Sequence, residues 1–349
     1  MIKTNIKNLK PLILFSSRAV DKKIIHRLKN NPKVQIVDEF AIFTSELNEI
    51  LDLKFKNRKI GNIKSVNDIW IYYPWRFSLV HLVDKFLFRQ LRLSRNNNLI
   101  TIAQQKKFLN YKVGIVGMNV GYHAAICLAL EGGAEKMKFA DPDILTPTSF
   151  NRFRASLVEL GKNKTILSAQ QVYEIDPFYS LELYTKGITH KNIDKFLNKP
   201  KINLLIEEMD NLPLKIFIRE KAKQYHIPVI MVTGNAENLI LDIERYDMKK
   251  QPKLLNGYLS KKIIDKISRI SLLTKPEKVK LAKDFIGNKY LHKRLLQSFA
   301  EVGKTIPGIP QIAETSFLRG LVLTQVTRRM ANNEYIPSGR YKIKIDNIF

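Results

Sequence analysis

Short apolar runs and amphipathic stretches alternate along most of the chain. Near the amino-terminal end, PLILF (11–15) and VQIVDEF (34–40) read as strands flanking a basic helix, DKKIIHRLKNN (21–31). Runs this short, bounded by polar segments, suit a strand rather than a helix. WIYYPWRFSLVHLVDKFLFRQLRL (70–93) is aromatic-rich and then helical. From Tyr111 the alternation becomes regular. KVGIVG, KMKFAD, SLELYT, INLLIEE and PVIMVT are the candidate strands, with helices between them at 121–131, 162–174, 192–198 and 214–224. Continuous apolar strands separated by helices predict a mostly parallel sheet covered on both faces. After Asp247 the chain turns helical and lysine-rich to about residue 300. TIPGIPQ (305–311) is a loop, SFLRGLVLTQVTRRM (316–330) an amphipathic helix, and YKIKID (341–346) an edge or hairpin strand with period two. No internal repeat interrupts this plan.

Length and composition add limits. The 349 residues, 45% of them apolar, suffice for one large α/β domain plus a smaller one. No segment is as long and apolar as a membrane span, and PLILF is too short for the core of a signal peptide, so a cytoplasmic protein is expected. The single cysteine, Cys127, excludes an internal disulfide and a multi-cysteine zinc site, and the six histidines show no ligand spacing. Net charge is +27, from 59 basic and 32 acidic residues. Such a surface attracts nucleic acid, acidic proteins or phosphorylated ligands. The excess concentrates between Lys249 and Arg294, with 14 Lys/Arg against Asp265, Glu277 and Asp284.

The densest chemistry lies in VGIVGMNVGYHAAICLALEGGAEKMKFADPD (113–143). A strand meets the turn Gly117-Met118-Asn119-Val120-Gly121, then a helix, then a strand ending at Asp141. This is the outline of a nucleotide-binding βαβ unit and of a Rossmann-like fold. Asn119 stands where a glycine is usual, and it tolerates left-handed backbone angles that keep such a turn possible. The helix start at Gly121 offers free N–H groups to an anion. The turn alone leaves NAD, FAD and ATP open. Asp141, about 20 residues past Gly121, suits a ribose. Arg152 and Lys164 downstream suit a triphosphate, because cations neutralise the charge that builds on a leaving pyrophosphate. Asp210, just past the strand INLLIEE, is placed to hold Mg²⁺, with Glu207 within reach as well.

Those motifs, in this order, resemble the ThiF/MoeB superfamily, relatives of the ubiquitin-activating enzymes, over roughly residues 88–248. The resemblance rests on the glycine turn, FADPD, SFNRFR, LGKNK, and IEEMDN followed by a helix and PVIMVTG. It implies adenylation of a carboxyl group with ATP and Mg²⁺. Asp141 is then similar to the family's ribose-binding aspartate, Arg152 and Lys164 to its phosphate-contacting cations, and Asp210 to its Mg²⁺-positioning aspartate. Gly117, Asn119, Gly121 and Ser149 line the nucleotide, with Ser149 standing where the family has an asparagine. RLSRNNNLITIAQQ (92–105) resembles the family's arginine-bearing helix. Arg95, or failing it Arg92, is then the arginine that reaches a neighbouring subunit's ATP site, which implies a homodimer. No cysteine follows residue 127, so a thioester route is absent. The acyl-adenylate would pass directly to another nucleophile. GMNVG, YYPWR, LSRNNNLIT, ERYDM and SGRYKIKID resemble a bacterial branch in which such a domain is often fused to a nitroreductase-like one, and a stand-alone version is expected here.

The expected organisation is a small α/β unit at 1–87 and an adenylation domain at 88–349. The latter comprises a nucleotide core (111–248), a basic helical segment (249–300) and a terminal helix and strand (301–349). The carboxylate could be a small molecule, a peptide or a carrier protein, and the basic segment could receive it. A tRNA-bound carboxyl group is a second reading that fits the charge. An NAD- or FAD-binding or degenerate protein of this fold is a third.

Overall fold

The computed structural model describes residues 9–55 and 68–345. Asp346 of the last expected strand lies outside them. The chain divides into two compact units, Met1–Lys106 with Ala169–Tyr179, and Lys107–Ser168 with Ser180–Phe349.

The first unit runs β1 (Leu12–Phe15), α1 (Ala19–Lys29), β2 (Gln35–Val37), α2 (Phe40–Phe55), β3 (Asp68–Tyr73), β4 (Ser78–Val83) and α3 (Lys85–Arg92). Its sheet has the order β1-β3-β4-β2, antiparallel except for the β2–β4 pair. Strand alternation sorts the core. Trp70 of β3 packs with Leu14, Ile25, Val34 and Leu79 beneath α1. Its neighbours Ile69 and Ile71 pack with Leu82 and Phe88 on the other face. The aromatic stretch from Trp70 is therefore a β-hairpin rather than an undifferentiated run before a helix. Its turn passes through Phe77, which has φ +50°, so no glycine or asparagine advertises it. Asp176, fully buried, accepts from Arg89 at 2.8 Å and Arg92 at 3.2 Å.

The remaining elements are α4 (Ile102–Asn110), β5 (Val113–Val116), α5 (Gly121–Leu130), β6 (Lys136–Ala140), α6 (Lys164–Ile175), β7 (Ser180–Tyr184), α7 (Ile193–Asn198), β8 (Leu204–Glu207), α8 (Leu212–Gln224), β9 (Val229–Asn235), β10 (Asn238–Glu244), α9 (Lys261–Ser268), α10 (Lys275–Ile286), α11 (Lys293–Glu301), α12 (Ala313–Ala331) and β11 (Gly339–Ile343). The second sheet has the order β11-β10-β9-β8-β5-β6-β7. β9, β8, β5, β6 and β7 are parallel, and β10 and β11 close one side antiparallel. This is the expected Rossmann-like, mostly parallel α/β sheet. Strand β10 escapes the sequence reading although Gly234, Asn235 and Asn238 flank its hairpin turn at Ala236, which has φ +57°. β11 is the expected edge strand, and Arg340 ties it to Asp242 of β10 through two bonds of 2.7 and 2.9 Å.

The lysine-rich segment is helical as expected. Its apolar side, including Leu255, Leu259, Ile267, Leu281 and Phe285, packs on Leu212 and Ile216 of α8 and Met231 of β9. No helix among the described residues is long and apolar enough to cross a membrane.

Candidate functional site

The site is built at the carboxyl ends of β5, β6, β8 and β9, where open parallel sheets receive ligands. Two glycines make the turn between β5 and α5. Gly117 has φ +83°, and a Cβ there would lie 2.3 Å from the Glu208 carbonyl oxygen. The turn thus passes so close to the end of β8 that no side chain fits. Gly121 seats α5 on β5, since a Cβ would come within 2.4 Å of Ile115. No side chain caps the α5 start, which leaves its positive end to an anion. Asn119 is not in the left-handed region expected of it. Gly117 carries the positive φ of this turn, and Asn119 acts through its side chain. With its amide oxygen turned to Arg152, it accepts from Nε at 3.0 Å and Nη2 at 3.2 Å.

Asp141, only 5% exposed, receives the Met118 N–H on Oδ2 at 2.6 Å and the Asp143 N–H on Oδ1 at 2.7 Å. It thereby fastens the glycine turn to the end of β6. Burial pushes its carboxyl above the usual carboxylate range, against the pull of those N–H groups and of Lys164. Lys164 opens α6 and is itself buried, with Nζ 3.2 Å from Asp143 Oδ2. Asn163 fixes this corner by donating to the Asp141 and Asp143 carbonyls while capping α6 through Thr165 N.

Arg152 is presented by a loop rather than an element. Its neighbour Phe153, 1% exposed, stacks on Tyr122 of α5 with ring centroids 4.3 Å apart. That anchor holds the guanidinium against Asn119, and Nη1 donates to the Thr148 carbonyl and Asn151 Oδ1. Burial lowers the Arg152 pKa, and Asp210 draws it back. Ser149 is buried one turn earlier, its hydroxyl 3.3 Å from that of Thr146.

Three carboxylates follow one another at the end of β8, and the structure separates their roles. Glu207 is fully buried between Lys215, at 3.0 Å, and Arg219, which also binds Glu244. It does not reach the site as its sequence position suggested. Glu208 accepts the Val232 N–H at 2.7 Å and the Arg319 Nη2–H at 2.8 Å. Asp210 is exposed, has no hydrogen-bond partner among the described residues, and faces Arg152 electrostatically. No group of three or more His, Cys, Asp or Glu side chains among the described residues is arranged to hold a metal. A single free carboxylate fits Mg²⁺, which is held by one or two carboxylates with substrate phosphates and water.

The contacts above bring together Gly117, Asn119, Gly121, Asp141, Ser149, Arg152, Lys164 and Asp210. Arg95 is exposed, on the 3₁₀ turn Ser94–Asn96 of the first unit. Arg92 shares Asp176 with Arg89. Sequence reading set Glu208 aside as part of the strand and missed Arg319 and His123. His123, in the first turn of α5, is 4% exposed with Nε2 unpartnered. Its ring lies 4.2 Å from that of Phe317 in α12. Burial pulls its pKa down to about 4.

Residues 93–236 match the ThiF family. MT1398, an uncharacterised protein of Mycobacterium tuberculosis (strain CDC 1551 / Oshkosh), is 29% identical over 334 residues, which cover 96% of this chain and 45% of that protein. The chain thus spans about half the length of this relative. Among solved structures, PaaA has a TM-score of 0.52 at 17% identity, covering 75% of this chain and 77% of its own. E. coli MccB, crystallised with AMPCPP and MccA, has a TM-score of 0.51 at 16% identity, covering 76% and 70%. The same enzyme with ATP gives equal figures. Family match and fold agree, and the chain carries a ThiF family domain across residues 93–236.

Proposed function

We propose that this protein adenylates a substrate carboxylate with ATP and Mg²⁺. The observation that carries the reading is a pair of opposite charges with different fates. Arg152 is fastened to the glycine turn by Asn119, while Asp210 faces it exposed and unpartnered. A dinucleotide's pyrophosphate has no use for Arg152, Lys164 and an unpartnered Asp210 together, whereas a triphosphate and its cation use all three.

The ribose meets Asp141, and the phosphates lie along the glycine turn and the α5 start toward Arg152 and Lys164. Mg²⁺ on Asp210 would neutralise phosphate charge. A substrate carboxylate oxygen attacks the α-phosphorus and forms a new P–O bond. The bond to the bridging oxygen breaks, and pyrophosphate leaves with its electron pair beside Arg152 and Lys164. The product is an acyl-adenylate, and a nucleophile then takes the acyl group and releases AMP. The chain contributes mainly positioning and charge complementarity. Arg95 acts across the interface of a homodimer. Relatives of this fold have been crystallised with ATP or with AMPCPP and MccA, which supports a nucleotide and leaves the carboxylate's carrier open.

Equilibrium binding of ATP with Mg²⁺, against NAD, NADP and FAD, tests the reading. Wild type should select ATP, and Asp210→Asn or EDTA should weaken ATP by roughly tenfold or more while leaving the melting temperature in place, since Asp210 supports no fold contact. Preference for a dinucleotide that ignores the substitution would overturn it.

A further inference from the structure

Arg319, on the second turn of α12, is the strongest unassigned group near the site. Two of its three guanidinium nitrogens are fixed. Nε donates to the Val232 carbonyl at 2.9 Å, and Nη2 to Glu208 Oε2 at 2.8 Å. Glu208 is in turn held by the Val232 N–H at 2.7 Å, so arginine, carboxylate and strand form one closed bracket. The carboxylate side chain is 1% exposed and the arginine 13%. Nη1 has no partner among the described residues. It lies over Gly234 at the carboxyl end of β9, 3.7 Å from where a Cβ would stand.

β9 is next to β8 in the sheet, and β8 is next to β5. The glycine turn, Asp210 and Arg319 therefore follow one another along a single edge. The Arg319 charge adds to burial in lowering the Arg152 pKa. Every hydrogen-bond partner of Arg152 is a neutral oxygen, from Asn119, Thr148 and Asn151. Arg152 beside the glycine turn and Arg319 at the end of β9 thus lie along one sheet edge, Arg319 on a rigid support with Nη1 free among the described residues, an arrangement suited to a multiply charged anion.

We propose that Arg319 is a further phosphate-binding residue: Glu208 and Val232 hold its guanidinium so that Nη1 receives an oxygen of the oligophosphate gripped by Arg152. The assignment rests on the nucleotide reading above and adds a residue from a distant helix to it. Arg319 would strengthen its contact as charge gathers on the departing pyrophosphate.

Binding of inorganic pyrophosphate, ATP with Mg²⁺, and AMP is measured by calorimetry on wild type, Arg319→Gln and Arg319→Lys. The lysine variant keeps a cation beside Glu208 but has no second nitrogen for the phosphate. Both variants should lose roughly tenfold or more in pyrophosphate and ATP affinity, with AMP affinity held within about twofold. Unchanged pyrophosphate affinity in both variants would overturn the proposal. An equal loss for AMP would do the same, by showing that Arg319 merely supports the fold. Wild type that binds pyrophosphate in an Arg319-dependent way but not ATP would remove the nucleotide reading and leave the anion role standing. ATP binding that is indifferent to Arg319 would remove only the latter.

Discussion

Within four positions, Glu207, Glu208 and Asp210 meet three different surroundings: a buried ion-pair cluster, a bracket with Arg319, and solvent. Nothing local distinguishes them, since all are carboxylates at one strand end. Their surroundings do. Glu207 is ionised despite complete burial because Lys215 and Arg219 outweigh the desolvation that would raise its pKa. Glu208 is pushed the other way by burial, against Arg319 and the Val232 N–H. Removing one partner of a buried ion pair strands the rest, at roughly 3–5 kcal/mol. Glu207→Gln should therefore lose stability on that scale, read as a lower urea midpoint, in contrast to Asp210→Asn. A Glu207→Gln protein as stable as wild type would mean that the Lys215–Arg219–Glu244 cluster is not fixed by this carboxylate. The sequence placed Asp210 as the metal-facing candidate on its position past the strand, yet left Glu207 open. Only burial separates them.

At the scale of elements, the packing of α12 on α5 decides what Arg319 and His123 meet. Gly320 makes it possible, because a Cβ there would lie 2.4 Å from His123 Cβ and 2.6 Å from the His123 carbonyl carbon. Gly→Ala inside a helix ordinarily gains about 1 kcal/mol from propensity. Overpacking against backbone costs about 1–3 kcal/mol, so the clash should win. Gly320→Ala is expected to lower the melting temperature, while Gly234→Ala, with its nearest atoms at 3.7 Å, should not. A stabilised Gly320→Ala would show that the two helices can move apart freely. The parallel strands and their helices were legible because apolar periodicity is local. The β3–β4 and β9–β10 hairpins were not read, although Pro74, Gly234 and Asn235 are turn residues; the positive φ angles themselves fall on Phe77 and Ala236. Their conformations are imposed by strand pairing on both sides.

For the whole molecule, stability against pH reports on the buried groups together. His123 is held neutral by burial, its pKa down at about 4 from an ordinary 6.5. Above pH 6.5 both folded and unfolded forms are neutral there, and the contribution is fully present. As pH falls toward 4 the unfolded chain takes the proton first, so stability is lost across that window, on the order of 3 kcal/mol. His123→Gln should flatten the pH dependence of the urea midpoint between pH 6.5 and 4 relative to wild type, and an unchanged slope would contradict the neutral buried ring. In the first unit, Asp68 adds to the acid side. Burial raises its carboxyl, but hydrogen bonds from Ser16 and His81 more than offset this and hold it below the ordinary range, so its share is lost at still lower pH. By itself, the sequence determined the alternation of strands and helices, the glycine turn, the acidic end of β6 and the basic helical segment, because each depends on neighbours within a few residues. The tertiary structure alone decided which carboxylate stays in solvent, that Asn119 serves Arg152 rather than the turn, and that Arg319 reaches Glu208 from 111 positions away. Those outcomes depend on burial and on contacts between elements far apart in the chain, and a linear pattern carries neither.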